Sequence, residues 1–158
     1  MKSALIRADL AGTGLFVVAL GLAVPLRDER FGQVLIVVVS LALFAAGIAT
    51  SLWAYAAALE RSRSHEIGVA NLYLLTGSTA PKPVKWSMLG ALGVQVVAAV
   101  VGATVGVSGL GENELNAMAF GVLVPMFGIG MNGGWAARYG LYGPRVNPAA
   151  VPTNGRIE

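Results

Sequence analysis

Two carboxamide side chains, Gln95 and Asn132, are the residues whose type and position best suit chemistry inside a membrane. Both lie within long apolar runs, where an amide without a hydrogen-bond partner is costly. Pro125 lies in the same run as Asn132, and a proline inside a helix frees a carbonyl oxygen. The three residues can therefore line a small intramembrane polar site. In the simpler alternative, the two amides hydrogen-bond between helices and fix their packing.

Acids and bases lie at the ends of the apolar runs, not inside them. The central parts of the runs contain no Asp, Glu, Lys, Arg or His. Small multidrug transporters of similar size depend on an embedded Glu, so the pattern argues against that class. Asp9 precedes the first run, and we expect it in the first turn of a helix, facing the positive end of the helix dipole.

An enzyme or a metal site would have to use the loop between the second and third runs. The single histidine, His65, lies there with Glu60 and Glu66 on either side of it in sequence. One His and two carboxylates form a weak zinc set, and the chain contains no Cys to supply a thiolate. We therefore expect no catalytic residue, no metal and no cofactor.

The elements that position these residues are predicted to be four transmembrane helices. Apolar residues make up 56% of the 158 residues and charged residues 12%, against about 25% charged in an average soluble protein. A bilayer core of about 30 Å needs about 20 helical residues. Four runs approach or exceed that length: 10–26, 34–58, 88–107 and 115–137.

The predicted fold class is an all-α integral membrane protein with one short interfacial helix between spans two and three. That helix is predicted over residues 67–75, which are apolar but too short to cross a bilayer. The four-helix domain is predicted over residues 1–142. Residues 143–158 carry Gly and Pro without an apolar period, which predicts a disordered cytoplasmic tail.

The distribution of Lys and Arg predicts the orientation of the spans. Of eleven such residues, only Arg27 and Arg30 fall on the side opposite the termini. Cytoplasmic segments carry the excess of positive charge, so both termini are predicted to be cytoplasmic. Ala, Val, Gly and Arg are frequent while Lys and Asn are rare, a composition typical of GC-rich genomes, which favours a bacterial plasma membrane.

Basic residues beside the spans are also candidates for contacts with anionic lipid headgroups. Five of them lie on the predicted cytoplasmic side: Arg61, Arg63, Lys82, Lys85 and Arg138. Because the basic residues lie next to membrane spans, orientation and lipid explain the net charge of +3 better than nucleic acid does. We expect membrane lipid as a partner and no nucleic acid.

Small residues are concentrated in spans three and four. Ala98, Gly102 and Gly106 form a row in span three with one small residue every four positions, and Gly121 and Gly128 lie in span four. Such rows let helix backbones approach closely and drive helix association in lipid. The sequence therefore predicts helix-packing or interaction faces at these five positions.

Two functions remain open at this point. The packing faces and the missing catalytic groups favour an accessory, stabilising or assembly subunit of a larger membrane complex, with other membrane subunits or copies of itself as partners. The alternative is a lipid-handling or small-solute permeation protein, which would use the intramembrane polar residues Gln95, Pro125 and Asn132.

The end of the last apolar run carries a resemblance. Residues 119–128 read AFGVLVPMFG and lead into WAAR at 135–138. This pattern resembles the last span of small four-span membrane proteins of unknown function from high-GC bacteria. The similarity covers the final quarter of the chain, and it implies no activity.

Overall fold

The computed structural model of this protein describes residues 2–107 and 116–145, with the backbone alone at residues 2 and 3. Five α-helices and one 3₁₀ helix follow one another within these ranges: α1 (Lys2–Ala23), α2 (Arg30–Arg61), α3 (Val69–Tyr73), α4 (Lys82–Val107), the 3₁₀ helix (Ala117–Leu123) and α5 (Pro125–Tyr139).

Within the described ranges, four helical segments are long and apolar enough to cross a membrane, which is the architecture of a multi-pass membrane protein. They are α1 from Ala4, α2, α4, and the 3₁₀ helix together with α5. The predicted four-span, all-helical fold with a short helix between spans two and three is confirmed. With 32 residues, α2 is about 48 Å long and exceeds the roughly 30 Å bilayer core.

The fourth span is broken into two pieces at Pro125, the proline that lies inside the last apolar run. The 3₁₀ helix ends at Leu123 and α5 begins at Pro125. Val124 N–H donates to the carbonyl of Gly121 at 3.0 Å, and Phe127 N–H donates to that of Val124 at 2.8 Å. Hydrogen bonds between residues three apart, as in a 3₁₀ helix, therefore continue from the 3₁₀ helix into the start of α5. Proline fits the first position of α5 because that position has no intrahelical acceptor for an N–H.

The centre of the bundle is α5, which packs against α1, α2, α3 and α4. Ten of its fifteen residues are buried. Its backbone comes closest to α2 where Gly47 faces Gly130, since a Cβ atom at either glycine would collide with backbone atoms of the other helix. Small residues thus bring the two helices together, as expected where lipid removes the usual hydrophobic drive.

The chain beyond α5 returns to the α2–α3 connection. Glu66 N–H donates to the carbonyl of Gly143 at 3.0 Å, and Arg145 N–H donates to that of Ser64 at 3.1 Å. Gly143 and Arg145, at the start of the predicted tail, are thus held by backbone hydrogen bonds to the α2–α3 connection. The remainder of that predicted tail, residues 146–158, lies outside the described residues.

Candidate functional site

Three polar side chains meet inside the bundle, and we call Asp9, Thr13 and Gln95 the polar cluster. Their exposed fractions are 0%, 7% and 0%. Gln95 Nε2 donates to Thr13 Oγ1 at 2.7 Å and lies 3.5 Å from Asp9 Oδ1. Thr13 Oγ1 in turn donates to the Asp9 backbone carbonyl at 2.8 Å. The cluster therefore links span one to span three by side-chain hydrogen bonds.

Helical spacing explains why these residues meet. Asp9 and Thr13 are four positions apart on α1, so they lie on one face, which continues through the buried Phe16 and Leu20. On α4 the buried positions are Met88, Ala91, Gln95, Ala99, Gly102 and Gly106, a repeat of three and four that defines a single face. Gln95 lies near the middle of α4, which places the cluster well inside the membrane-spanning region.

The broken fourth span completes the cluster. Gly128 N–H, in the first turn of α5, donates to Gln95 Oε1 at 3.1 Å. A Cβ atom at position 128 would lie 2.6 Å from the same oxygen, so the side chain of Gln95 reaches the backbone because residue 128 is glycine. The N-terminal end of a helix carries partial positive charge. The amide of Gln95 therefore connects that end of α5 to the carboxyl group of Asp9.

One oxygen of this carboxyl group has no hydrogen-bond partner among the described residues. Asp9 Oδ2 is buried and unpaired. The basic residue nearest to it in sequence, Arg7, is exposed on the outside of α1. An ionisable group inside a membrane span normally faces a partner or a pathway, so the unpaired oxygen makes Asp9 a candidate ligand-binding residue.

Asn132 lies in the same bundle but outside the polar cluster. It is fully buried, and neither its Nδ2 nor its Oδ1 has a hydrogen-bond partner among the described residues. Ser40 and Ser51 of α2 are likewise buried with unpaired hydroxyl oxygens. The structure thus brings Gln95 to the first turn of α5, three residues beyond Pro125, without joining it to Asn132 by a hydrogen bond.

The loop residues considered for an enzyme remain apart from this cluster. His65 Nδ1 lies 2.9 Å from Ser64 Oγ, and Glu60 and Glu66 are exposed. Among residues 2–107 and 116–145, no three or more His, Cys, Asp or Glu side chains are grouped so that they could hold a metal ion.

Arg61, predicted to contact headgroups, is used inside the chain. Its Nη1 donates to the carbonyl of Ala137 at 2.7 Å and its Nη2 to that of Gly140 at 3.2 Å. The guanidinium carbon lies 5.2 Å from the ring centre of Tyr142. Burial raises the pKa of the Tyr142 hydroxyl, and the charge of Arg61 opposes that rise. Arg61 therefore binds the carbonyl groups at the end of α5.

The other four candidates for headgroup contacts lie at the surface. Lys85 Nζ donates to the carbonyl of Gly77 and is half-buried, while Arg63, Lys82 and Arg138 are exposed. These four can reach a membrane surface.

The small residues predicted as packing faces are occupied largely by contacts within the chain. A Cβ atom at Gly102 would meet the side chain of Leu20, and one at Gly121 would meet Phe16. One at Gly106 would meet Asn116 and Met118, and Ala98 is half-buried beside the core. Together with Gly128 against Gln95, these positions hold spans one, three and four against one another.

Sequence reasoning missed Asp9 because the first apolar run begins one residue later. In the structure α1 begins at Lys2, so Asp9 lies two turns inside the helix, not in its first turn. The signal that could have found it is the spacing 9, 13, 16, 20, which continues the buried face of α1 through the carboxyl group.

Comparison of the chain with family models, with curated proteins and with solved structures gave no match.

Proposed function

We propose that this chain is a small permeation protein whose intramembrane site is the polar cluster. The observation that carries the proposal is the Asp9 carboxyl group, which is buried within span one and hydrogen-bonded by Gln95, with Oδ2 unpaired. Asp residues inside membrane spans mark ion or substrate pathways because their burial is otherwise unfavourable.

The chemistry of the cluster favours a small cationic solute. A carboxylate accepts hydrogen bonds and offers negative charge, and the Thr13 hydroxyl adds a further oxygen. In the structure, the N–H donor that faces Asp9 Oδ1 is Gln95 Nε2. A proton, or a small cation with or without N–H groups, can take over that interaction when the amide of Gln95 turns away.

Access requires movement, and the break in span four supplies a hinge. Short 3₁₀ segments within a span often mark hinges, and here one leads directly into Pro125. Because Gly128 N–H binds Gln95, displacement of the first turn of α5 also changes the hydrogen bonding of the cluster. The same hinge therefore opens the site and alters its partners.

The proposed location is a bacterial plasma membrane, with both termini in the cytoplasm. The support for the orientation is the charge distribution, since only Arg27 and Arg30 lie in sequence between the first and second apolar runs, while the other Lys and Arg residues lie before the first run, between the second and third, or after the fourth. Permeation needs no catalytic residue or cofactor, and we propose that the chain is not an enzyme.

Flux through purified protein in liposomes tests the proposal. Vesicles receive gradients of K⁺, Na⁺ or methylammonium, and a pH-sensitive dye inside them reports protons. We expect the natural chain to carry at least one of these probes faster than empty vesicles. Asp9→Asn should lower that flux at least tenfold. Asp28→Asn is the matched control, because Asp28 is an exposed aspartate in the α1–α2 connection.

Two results would show that the proposal is wrong. One is that none of the four probes crosses faster than in empty vesicles. The other is that a folded Asp9→Asn protein carries every probe at the rate of the natural chain. Circular dichroism and gel filtration in detergent establish folding before the flux measurement.

A second candidate is the accessory or assembly subunit, and one observation favours it. Ala42, Ala45, Ala46 and Ala49 of α2 are exposed and lie at helical spacing, so they form one outward face of small residues. Unlike Gly102 and Gly106 of span three, this face is open to a neighbouring helix. In native membranes, Ala46→Leu should abolish stoichiometric co-purification of a partner subunit. Leu41→Phe, which enlarges an exposed side chain on another side of the same helix, should not. Purification of the natural chain without any partner would count against this candidate.

A further inference from the structure

A surface groove runs along the first three turns of α4. It has a volume of about 350 Å³ and is lined by Lys82, Lys85, Trp86, Leu89 and Gly90. Their numbers differ by three, four, seven and eight from the first, so one helix face carries all five. The groove shares no residue with the polar cluster, so its role is independent of the proposed permeation site.

Positive charge is concentrated at the end of the groove nearest the N-terminus of α4. Lys82 and Lys85 lie about one helical turn apart on α4, and Lys85 uses one of its three N–H donors on the carbonyl of Gly77. The positive end of the α4 dipole lies at the same level. No Asp or Glu occurs in the sequence between Glu66 and Glu112, so no acidic residue lies near the groove in sequence.

The other end of the groove, nearer the middle of α4, is lined by Trp86, Leu89 and Gly90 and is apolar. Trp86 is 80% exposed, so its indole lies at the surface at the level where aromatic residues meet a membrane interface. Gly90 and Gly93 follow at helical spacing, and a Cβ atom at either would have no neighbour within 4 Å. The absence of side chains there leaves a trough directed towards the middle of the span, beside Leu89.

We propose that this groove binds one anionic phospholipid of the bilayer. The headgroup phosphate lies between the ammonium groups of Lys82 and Lys85, the indole N–H of Trp86 donates to the glycerol ester region, and an acyl chain lies in the trough over Gly90 and Gly93. Charge complementarity selects the headgroup, since a zwitterionic lipid brings a cation that the two lysines repel.

The test uses Trp86 as its own reporter. The chain has three tryptophans, of which Trp135 is buried and Trp53 is half-exposed. A Trp53→Phe protein therefore reports lipid contact mainly through Trp86. It is reconstituted in phosphatidylcholine vesicles with a small fraction of brominated lipid, either phosphatidylglycerol or phosphatidylcholine. The quenching of fluorescence gives the preference between the two headgroups.

We expect a preference of about 30-fold for phosphatidylglycerol, the equivalent of about 1 kcal/mol for each lysine. Lys82→Gln with Lys85→Gln should reduce it to nearly one. Arg63→Gln with Arg138→Gln removes the same charge from exposed residues outside the groove and should leave the preference unchanged. Gly90→Leu should weaken quenching by either lipid, whereas Gly14→Leu, at an open glycine of α1, should not.

Either of two results would overturn the proposal. Equal quenching by the two brominated lipids in the parent protein means that the groove selects no headgroup. An equal loss of preference in the lysine pair and the arginine pair means that diffuse surface charge, not the groove, attracts the lipid. Thermal unfolding of each variant, followed by circular dichroism, confirms that the comparison is between folded proteins.

Discussion

Replacement of Gln95 by leucine removes the residue that joins three helices through the polar cluster. Leucine is close in size to glutamine and keeps the volume of the site, so the change is mainly a loss of hydrogen bonds. The bonds lost are the 2.7 Å bond to Thr13 and the 3.1 Å bond from Gly128, with the longer 3.5 Å contact to Asp9.

The expected cost follows from those contacts. Hydrogen bonds between membrane helices contribute about 0.6 kcal/mol on average and at most about 1.7 kcal/mol. Two short bonds therefore give a destabilisation of about 1 to 3 kcal/mol. The leucine gains nothing in return, because lipid is as apolar as the helix interface it enters. The free energy of unfolding should fall by this amount in Gln95→Leu.

Reversible unfolding in mixed micelles, with increasing fractions of a denaturing detergent, measures this difference. Trp135 is buried in α5 and gives a fluorescence signal for separation of the helices. Thr13→Val provides the second arm of a double-mutant cycle, since it removes the hydroxyl that Gln95 Nε2 contacts. The double variant should lose less than the sum of the two single variants, by about 0.6 kcal/mol or more.

Additive losses in the two variants, or a Gln95→Leu protein as stable as the parent, would contradict this prediction. Additivity would mean that the 2.7 Å bond between Thr13 and Gln95 contributes no coupling. Unchanged stability would mean that Gln95 does not hold α5 against α4, and the linkage between the hinge and the carboxyl group would be lost with it.

Three further predictions test neighbouring features. Gly128→Ala should destabilise the fold by about 1 to 2 kcal/mol, since its Cβ would displace the amide of Gln95, whereas Gly93→Ala, where nothing lies within 4 Å, should be neutral or slightly stabilising in the same unfolding assay. Arg61→Lys should cost about 1 kcal/mol, because lysine cannot bind the carbonyls of Ala137 and Gly140 together, while the exposed Arg63→Lys should cost nothing measurable. Burial raises the pKa values of both Tyr73 and Tyr142 above the ordinary value of 10.0, so the folded state holds these protons more tightly than the unfolded state. The free energy of unfolding should therefore be constant just below pH 10 and fall as the pH rises above it. The double variant Tyr73→Phe, Tyr142→Phe should show a smaller fall. An unchanged slope would mean that these two tyrosines do not cause the loss of stability.

Much of the fold could be predicted from hydropathy alone, because each span must satisfy its backbone hydrogen bonds internally and present apolar side chains to lipid. The ends of the spans could not be predicted in this way. Hydropathy placed the first run at Leu10, whereas hydrogen bonding carries α1 back to Lys2. A helix continues through a polar residue when a neighbouring helix covers it, as α4 covers Asp9 with Gln95.

The site was predicted in part, and its missing members depend on tertiary packing. Gln95 was predicted to be either a site residue or a helix-joining residue, and in the structure it belongs to the candidate site and also joins helices through its bonds to Thr13 and Gly128. Arg61 was predicted to face lipid, but the end of α5 lies within its reach, a proximity between residues 76 positions apart that no local pattern contains. Asp9 was excluded by a hydropathy boundary that lies a single residue away from it.

A structural role alone does not explain the polar cluster. A buried polar network stabilises a bundle when every member is satisfied, and a half-satisfied one is less favourable than an apolar contact of the same shape. Thr13 and Gln95 could hold α1 to α4 and α5 without Asp9, since the 2.7 Å bond joins those two directly. The carboxyl group adds a 3.5 Å contact and an unpaired oxygen, so it costs more than it contributes to packing. Under the proposed permeation function, a cation or a proton completes the missing interaction during part of a cycle, and the break in span four at Pro125 is the proposed element that admits it.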